Sequence, residues 1–333
     1  MSAYGGWINP STFRWSVSLT LMFPFLLTAN VGFLLVWLVF YSRKWLWSFA
    51  ALVLCVGQIR TYCPVNIPQP VPKGSIKVVS YNLFNFFGLY TDTLNRAQTL
   101  DYLAKSDADI ICAQEAQYNT KAGKQVAEAT KHWAYRDTVN MESEFNPLMI
   151  CSNFPIIDHH VIRSPSKSHA CAVYRLKIEH DTVVVVNCHF VSNGISSDDK
   201  KAYHDILVAS EEGNSKDDLL RLCRKVNEAG MKRAEQADSL AAYLETLGDV
   251  PVIVCGDFND SPLSYVHHRL TRNLSDAYTA SGNGPGITYY RSAMLFRLDN
   301  ILCSHHWRSF GANVDSRQKM SDHYPIETWL IRR

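Results

Sequence analysis

Val254-Cys255-Gly256-Asp257-Phe258-Asn259-Asp260 decides how this chain is read, together with Ser321-Asp322-His323-Tyr324-Pro325 nearer the C-terminus. Each run adjoins a short apolar stretch, Val250 to Cys255 for the first and Pro325 to Ile331 for the second. Polar residues are thereby placed where strands end at the rim of a sheet. Asp257, Asn259, Asp322 and His323 supply carboxylates, an amide and an imidazole. That set suits activation of water beside a divalent cation and stabilisation of charge on a phosphoryl group.

Outward from these runs, strands and helices alternate from Ile76 on. Strand patterns cover Ile76 to Phe84, Asp109 to Cys112, Leu148 to Cys151, Ala170 to Ile178, Thr182 to Phe190, Val250 to Cys255, Arg297 to Cys303 and Pro325 to Ile331. Helical spacing predicts a helix over Asn95 to Lys105 and a long one over 215–247. In the latter, Leu219, Leu222 and Val226 form one stripe and Ala234, Ala237, Leu240, Ala241 and Leu244 another, with Gly230 between them as a break. Core packing is the expected role of the first stripe, and Ser196 to Asp218 reads as a charged surface insertion. Further polar residues stand at strand ends: Asn82, Glu115, His189 and Asp299. Singly each is weak, since an Asn or Asp after a strand is commonly a turn residue. The histidines at 132, 159, 160, 169, 180, 204, 267, 268, 305 and 306 receive no role.

All nine cysteines lack CxxC spacing. Cys112, Cys151, Cys171, Cys188, Cys255 and Cys303 lie inside apolar strand-like runs, where a thiol behaves as a small buried hydrophobe. So many unpaired thiols sit poorly with an oxidising exterior.

The chain has 333 residues and a formal charge of +2, unevenly spread. No Asp or Glu precedes Asp92. Of 33 basic residues five lie in residues 1–75, leaving 28 against 31 acidic ones in the remainder. A weakly acidic domain lacks the basic footprint of a dedicated duplex-DNA binder. Residues 15 to 42 carry no formal charge and as a helix would reach about 42 Å, beyond the ~30 Å hydrocarbon core of a bilayer. A second apolar run follows, Trp45 to Ile59. The expectation is a transmembrane helical hairpin, helices about 16–41 and 45–62, within an anchor of residues 1–63. A cleaved signal peptide fits less well, because the first run is too long and lacks a basic leader. The Arg43-Lys44 turn puts that loop in the cytoplasm and the rest, a multi-pass membrane protein's catalytic domain included, outside it. Residues 64–75, with four prolines, read as an extended linker before a domain over 76–333.

In order, Ser-Tyr-Asn (80–82), Gln-Glu (114–115), Asn-Cys-His-Phe (187–190), Gly-Asp-Phe-Asn-Asp (256–260), Arg-Leu-Asp-Asn-Ile (297–301) and Ser-Asp-His-Tyr-Pro (321–325) resemble the motifs of the endonuclease/exonuclease/phosphatase superfamily. The N-terminal hairpin resembles the anchor of a bacterial membrane-bound branch. The resemblance implies a four-layered α/β sandwich, two packed mixed sheets flanked by helices, with the site on one rim. It implies Mg²⁺ or Mn²⁺ as cofactor, with Glu115 as main ligand helped by Asn82, and Asp322 holding metal-bound water or a second ion. His323 would stand beside the scissile phosphate, oriented by Asp299. Asp257 would position or deprotonate water, and Asn259 and His189 would donate to the non-bridging oxygens. Asp257 and His323 remain alternatives as the base. The implied activity is phosphodiester hydrolysis, on nucleic acid or on a lipid head group in the manner of a phospholipase C or sphingomyelinase. Asp260-Ser261 stands where inositol-phosphate phosphatases carry Tyr-Arg, which disfavours that branch. A non-catalytic membrane-bound binding protein is the alternative outside enzymes.

Overall fold

In the computed structural model, the described residues are 1–86, 93–116, 120–141, 146–164, 166, 168–196, 198–199, 215–291 and 295–333. Twelve strands make two six-stranded sheets. Sheet one comprises β1 (Ile76–Asn82), β2 (Ile110–Gln114), β3 (Tyr135–Val139), β4 (Leu148–Ser152), β11 (Trp307–Val314) and β12 (Ile326–Arg332), ordered β11-β12-β1-β2-β4-β3. Sheet two comprises β5 (Ile156–Arg163), β6 (Ala170–Ile178), β7 (Asp181–His189), β8 (Val252–Asp257), β9 (Ser275–Asp276) and β10 (Asp299–Cys303), ordered β5-β6-β7-β8-β10-β9. Near the centre of each sheet lies a parallel pair, β1–β2 and β7–β8, with antiparallel strands around it.

Strand alternation divides the apolar residues between faces. Val78, Ile110, Cys112 and Ile150 from one sheet meet Tyr174, Val185, Ile253 and Cys255 from the other in a buried middle layer. The opposite face of sheet one packs against α5 (Thr93–Lys105) and α6 (Thr120–Ala129), where Leu103, Val126 and Trp133 are buried. That of sheet two packs against α7 (Ser215–Thr246) and α8 (Tyr265–Leu270) through Ala237, Leu240, Ala241 and Val266. The expected arrangement of two mixed sheets flanked by helices is therefore present. All nine cysteines are free, and the six expected in the sheets are buried.

The N-terminal region departs from two unbroken spans. It forms α1 (Ser16–Leu21), α2 (Phe23–Val39), α3 (Trp45–Leu54) and α4 (Val56–Tyr62). The first break falls at Met22, with Pro24 in the first turn of α2; a proline there is tolerated at a helix start but would clash with the carbonyl one turn back in a continuing helix. The second break falls at Cys55. Among the described residues no helix is long and apolar enough to cross a membrane, and the two helices expected over 16–41 and 45–62 are each broken in two. α2 and α3 still pair as a hairpin, with Asn30 Nδ2 donating to the Ser48 carbonyl at 3.0 Å.

The region is also docked on the two-sheet domain. Ser18 donates to Asn227 Oδ1 of α7 through its backbone N–H (3.1 Å) and its hydroxyl (3.0 Å), and Trp7 stacks on His268 at 5.2 Å. α7 runs unbroken through Gly230, contrary to the expected break. There the glycine makes room for α1: a Cβ would stand 2.4 Å from Val17 Cγ2. The proline-rich stretch lies along the domain too, tied by Asn66 to the carbonyls of Thr279 and Gly282.

Candidate active site

Five functional side chains stand at or just beyond strand ends on one rim. Asn82 ends β1 and Glu115 follows β2, brought together because Asn82 pairs with Gln114 across the parallel ladder. His189 ends β7, opposite Asp257 at the end of β8, and Asp257 in turn faces Asp299 at the start of β10. A single rung of sheet two thus carries His189, Asp257 and Asp299. Asp322 and His323 enter from the loop before β12, held by Ser321, whose hydroxyl donates to the Asn82 carbonyl at 2.7 Å. All eight expected residues are brought together. The local backbone is unusual: Glu115 and Asn259 sit at φ of +50° and +51°, a left-handed conformation that only surrounding structure sustains in non-glycine residues. Gly256, at φ +147°, has no alternative, since a Cβ would meet the Cys188 carbonyl oxygen at 2.0 Å.

Asp257 is the hub. Its carboxylate accepts from the backbone N–H of Asn259 (2.8 Å), the Asn259 amide (3.1 Å) and the Asn82 amide (3.1 Å). His189 Nε2 and His323 Nε2 each lie 3.8 Å from it. Burial pushes its carboxyl up to about 6, opposed by the charge of His323 and reinforced by Asp299. His323 Nδ1 donates to Asp299 at 2.7 Å. Burial works against its charge, yet Asp299 and Asp257 prevail and hold the imidazole well above its ordinary value. His189 is the opposite case: burial, with His169 and His323 nearby, keeps it neutral. Glu115 accepts from Asn82 Nδ2 at 3.1 Å; burial, opposed by that hydrogen bond and aided by Asp322, pushes its carboxyl to about 7.

Two amides converge on Asp257 in this geometry. Asn82 Oδ1 accepts from the Phe84 N–H at 3.0 Å while its nitrogen faces both carboxylates, so it orients Glu115 and Asp257. Asn259 uses its amide nitrogen on Asp257 and on the Phe190 carbonyl (2.9 Å), and so steadies Asp257.

The site floors a cleft of about 390 Å³. Sequence reasoning missed several of its walls. His169 stands 4.7 Å from the His189 ring; only the register, which sets Ala170 against His189, brings it there. Tyr289 lies edge-on to His323 at 5.1 Å. Asp260 forms a buried ion pair with Arg233 of α7 at 3.0 Å, locking the long helix to the motif loop. Leu21, Met22 and Phe25 form a wall from the N-terminal region, where no periodicity pointed to the site.

Residues 79–323 match the model of the Endonuclease/Exonuclease/phosphatase family. The chain belongs to this family. Residues 1–62 separately match a domain of unknown function. No curated protein matches the chain. Solved structures share the family fold at low identity. Truncated Caenorhabditis elegans TDP2 is 13% identical with a TM-score of 0.53, covering 79% of this chain and 100% of that one. The human Nocturnin catalytic domain is 15% identical with a TM-score of 0.55, covering 79% and 97%. Sphingomyelinase C from Streptomyces griseocarneus is 19% identical with a TM-score of 0.53, covering 77% and 99%.

Enzymes of the Endonuclease/Exonuclease/phosphatase family are phosphoesterase hydrolases, typically dependent on divalent metal. The donor set here fits a hard cation. Glu115, Asp257 and Asp322 border the cleft, and among its described lining residues the one Arg or Lys is Arg233, already engaged by Asp260, Asn193 and the Val191 carbonyl. Three carboxylates gathered with no Lys or Arg free to pair with them suit an oxygen-seeking divalent ion. Asp257, Asp299 and His323 also bring ligand atoms within 4.8 Å of one another. A cationic His323 bonded to Asp299 is a poor metal ligand, which leaves Glu115 and Asp322 as the better holders.

Proposed function

We propose that the chain is a divalent-cation-dependent phosphodiesterase, with Mg²⁺ or Mn²⁺ held by Glu115 and Asp322. The observation that carries this is Asp257, fixed by three hydrogen bonds and set 3.8 Å from an imidazole that Asp299 holds cationic. Carboxylate and imidazolium so placed face one side of a bound phosphate, the carboxylate toward water and the imidazolium toward a phosphate oxygen. Asp257 orients water and takes its proton while the water oxygen bonds to phosphorus and the ester oxygen departs. His323 donates a hydrogen bond to a phosphate oxygen beside that water, and the departing oxygen takes its proton from solvent. His189, neutral and with Nε2 facing the cleft, donates to a non-bridging oxygen as charge develops. A bound cation would neutralise phosphate charge and acidify water.

Hydrolysis of bis-p-nitrophenyl phosphate by the full chain tests this reading. Turnover should vanish in EDTA and return with Mg²⁺ or Mn²⁺, and Glu115→Gln should abolish both metal response and turnover. Unchanged turnover in EDTA would overturn it. Residues 23–54 are proposed as the membrane contact, because Leu26, Phe33, Leu35, Trp47 and Phe49 are all at least half exposed, and apolar surface on that scale calls for a cover. Failure of the full chain to co-sediment with phospholipid vesicles would refute that part.

A further inference from the structure

The active-site cleft has two unlike sides. Its floor is polar: Glu115, Asp257, His323 and their partners. Its flank is apolar and built across two distant parts of the chain, Leu21, Met22 and Phe25 facing Leu219, Leu222 and Val226. Leu222 and Val226 are buried (6% and 8% exposed), whereas Met22, Phe25 and Leu219 are each 48% exposed, so the flank opens outward. It is held in place. Val17 fills the notch at Gly230, and Ser18 is bonded twice to Asn227 one turn from Val226. From Phe25 the same helix continues into the exposed apolar hairpin through Leu26 and Phe33. Among the described residues that line the cleft no basic track is present, since Arg233 is committed to Asp260; a polynucleotide threading past them would keep its phosphates unneutralised on that side.

Resting on the phosphodiesterase reading above, we infer that the substrate is an amphiphile, a phosphodiester carrying a hydrocarbon chain. The phosphate sits on the polar floor and the chain lies between α1–α2 and α7, leading out along the hairpin toward lipid. The N-terminal region is then part of the substrate site, and the stripe on the first half of α7 serves the substrate as much as the core.

A homologous series of p-nitrophenyl alkyl phosphates, ethyl to octyl, each below its micelle concentration, reads this directly on the full chain. Fully buried methylenes are worth up to about fourfold each, so kcat/KM should rise about a hundredfold or more across the series. Met22→Gln and Leu219→Gln alter half-exposed positions and should fold; each should flatten the slope. Because wild type and variants meet the same solution, a changed slope reads the flank and not partitioning. Turnover of the ethyl ester with no dependence on chain length would overturn the inference and leave the phosphodiesterase reading intact. Absence of turnover on every ester with Mg²⁺ or Mn²⁺ would sink that reading instead. Affinity for octyl against ethyl phosphate, by calorimetry, then decides the flank alone: equal affinity overturns it, tighter octyl binding lost in Met22→Gln supports it.

Discussion

Gly230→Ala should change sign according to what stands at residue 17. Replacing a glycine inside a helix by alanine normally stabilises by about 0.8–1 kcal/mol. In this helix the new methyl would lie 2.4 Å from Val17 Cγ2 and 3.1 Å from Cγ1, an overpacking worth about 1–3 kcal/mol. The wild-type background should therefore lose up to about 2 kcal/mol, limited by whatever holds α1 in place. Val17→Ala alone should cost about 1.5 kcal/mol for two buried methyls. In the Val17→Ala background the closest remaining contact is Cβ at 3.3 Å, so Gly230→Ala should become neutral to stabilising. Guanidinium denaturation of the four full-length proteins closes the cycle. Neighbours in contact are expected to couple by more than the roughly 0.5 kcal/mol scatter of independent sites. If Gly230→Ala had the same effect in both backgrounds, α1 would not be seated on α7, and the flank of the cleft would be misassigned.

Asp299→Asn should lower kcat by about 10²–10⁴ with little change in folding, by removing the acceptor that orients and charges His323; a loss under tenfold, or an equal loss in His306→Ala, would contradict that role. At the opposite end of β10, burial opposes the charge of Asp276, but Arg297 and His267 prevail and hold its carboxyl well below the usual range. Its stabilisation is therefore fully present above the unfolded value near pH ~3.9 and lost as pH falls through the depressed folded value. Asp276→Asn should cost about 3–5 kcal/mol and flatten this acid limb in denaturation curves at pH 6 to 3; an unaltered limb would refute the assignment. Thiol labelling of the native chain should reach at most Cys55, Cys63 and Cys223, with the other six reacting only on unfolding, since those six are buried; fast labelling of Cys188 or Cys255 would contradict the packing.

The central strands were legible because they are buried on both faces and so appear as continuous apolar runs, as in Val183 to Val186 and Val252 to Cys255. The edge strands β3, β5 and β11 were not. Tyr135-Arg136-Asp137 and Asp158-His159-His160 are polar on exposed faces and take their strand state from neighbours across the ladder. The site was legible as eight residues in order, although the hydrogen bonding of Asn82 and Asn259 could not be read from a motif. His169, Arg233 and the N-terminal flank escaped because each reaches the cleft through pairing or docking across long stretches of chain. Local periodicity likewise made α2 apolar on every side without showing that Met22 would break the helix before it.

The shared rung of His189, Asp257 and Asp299 has a consequence for error. Side chains alternate between faces with every residue, so a slip of one position in β8 would turn Asp257 away from both partners and send a carboxylate among the packed aliphatic residues beneath α7. Such a mispaired sheet would be punished twice, through the misplaced charge and through the lost ladder. Chemistry and assembly therefore proofread each other in this chain: a copy that joins its strands wrongly fails to persist as well as failing to work, leaving few long-lived inert copies to compete for the same substrate.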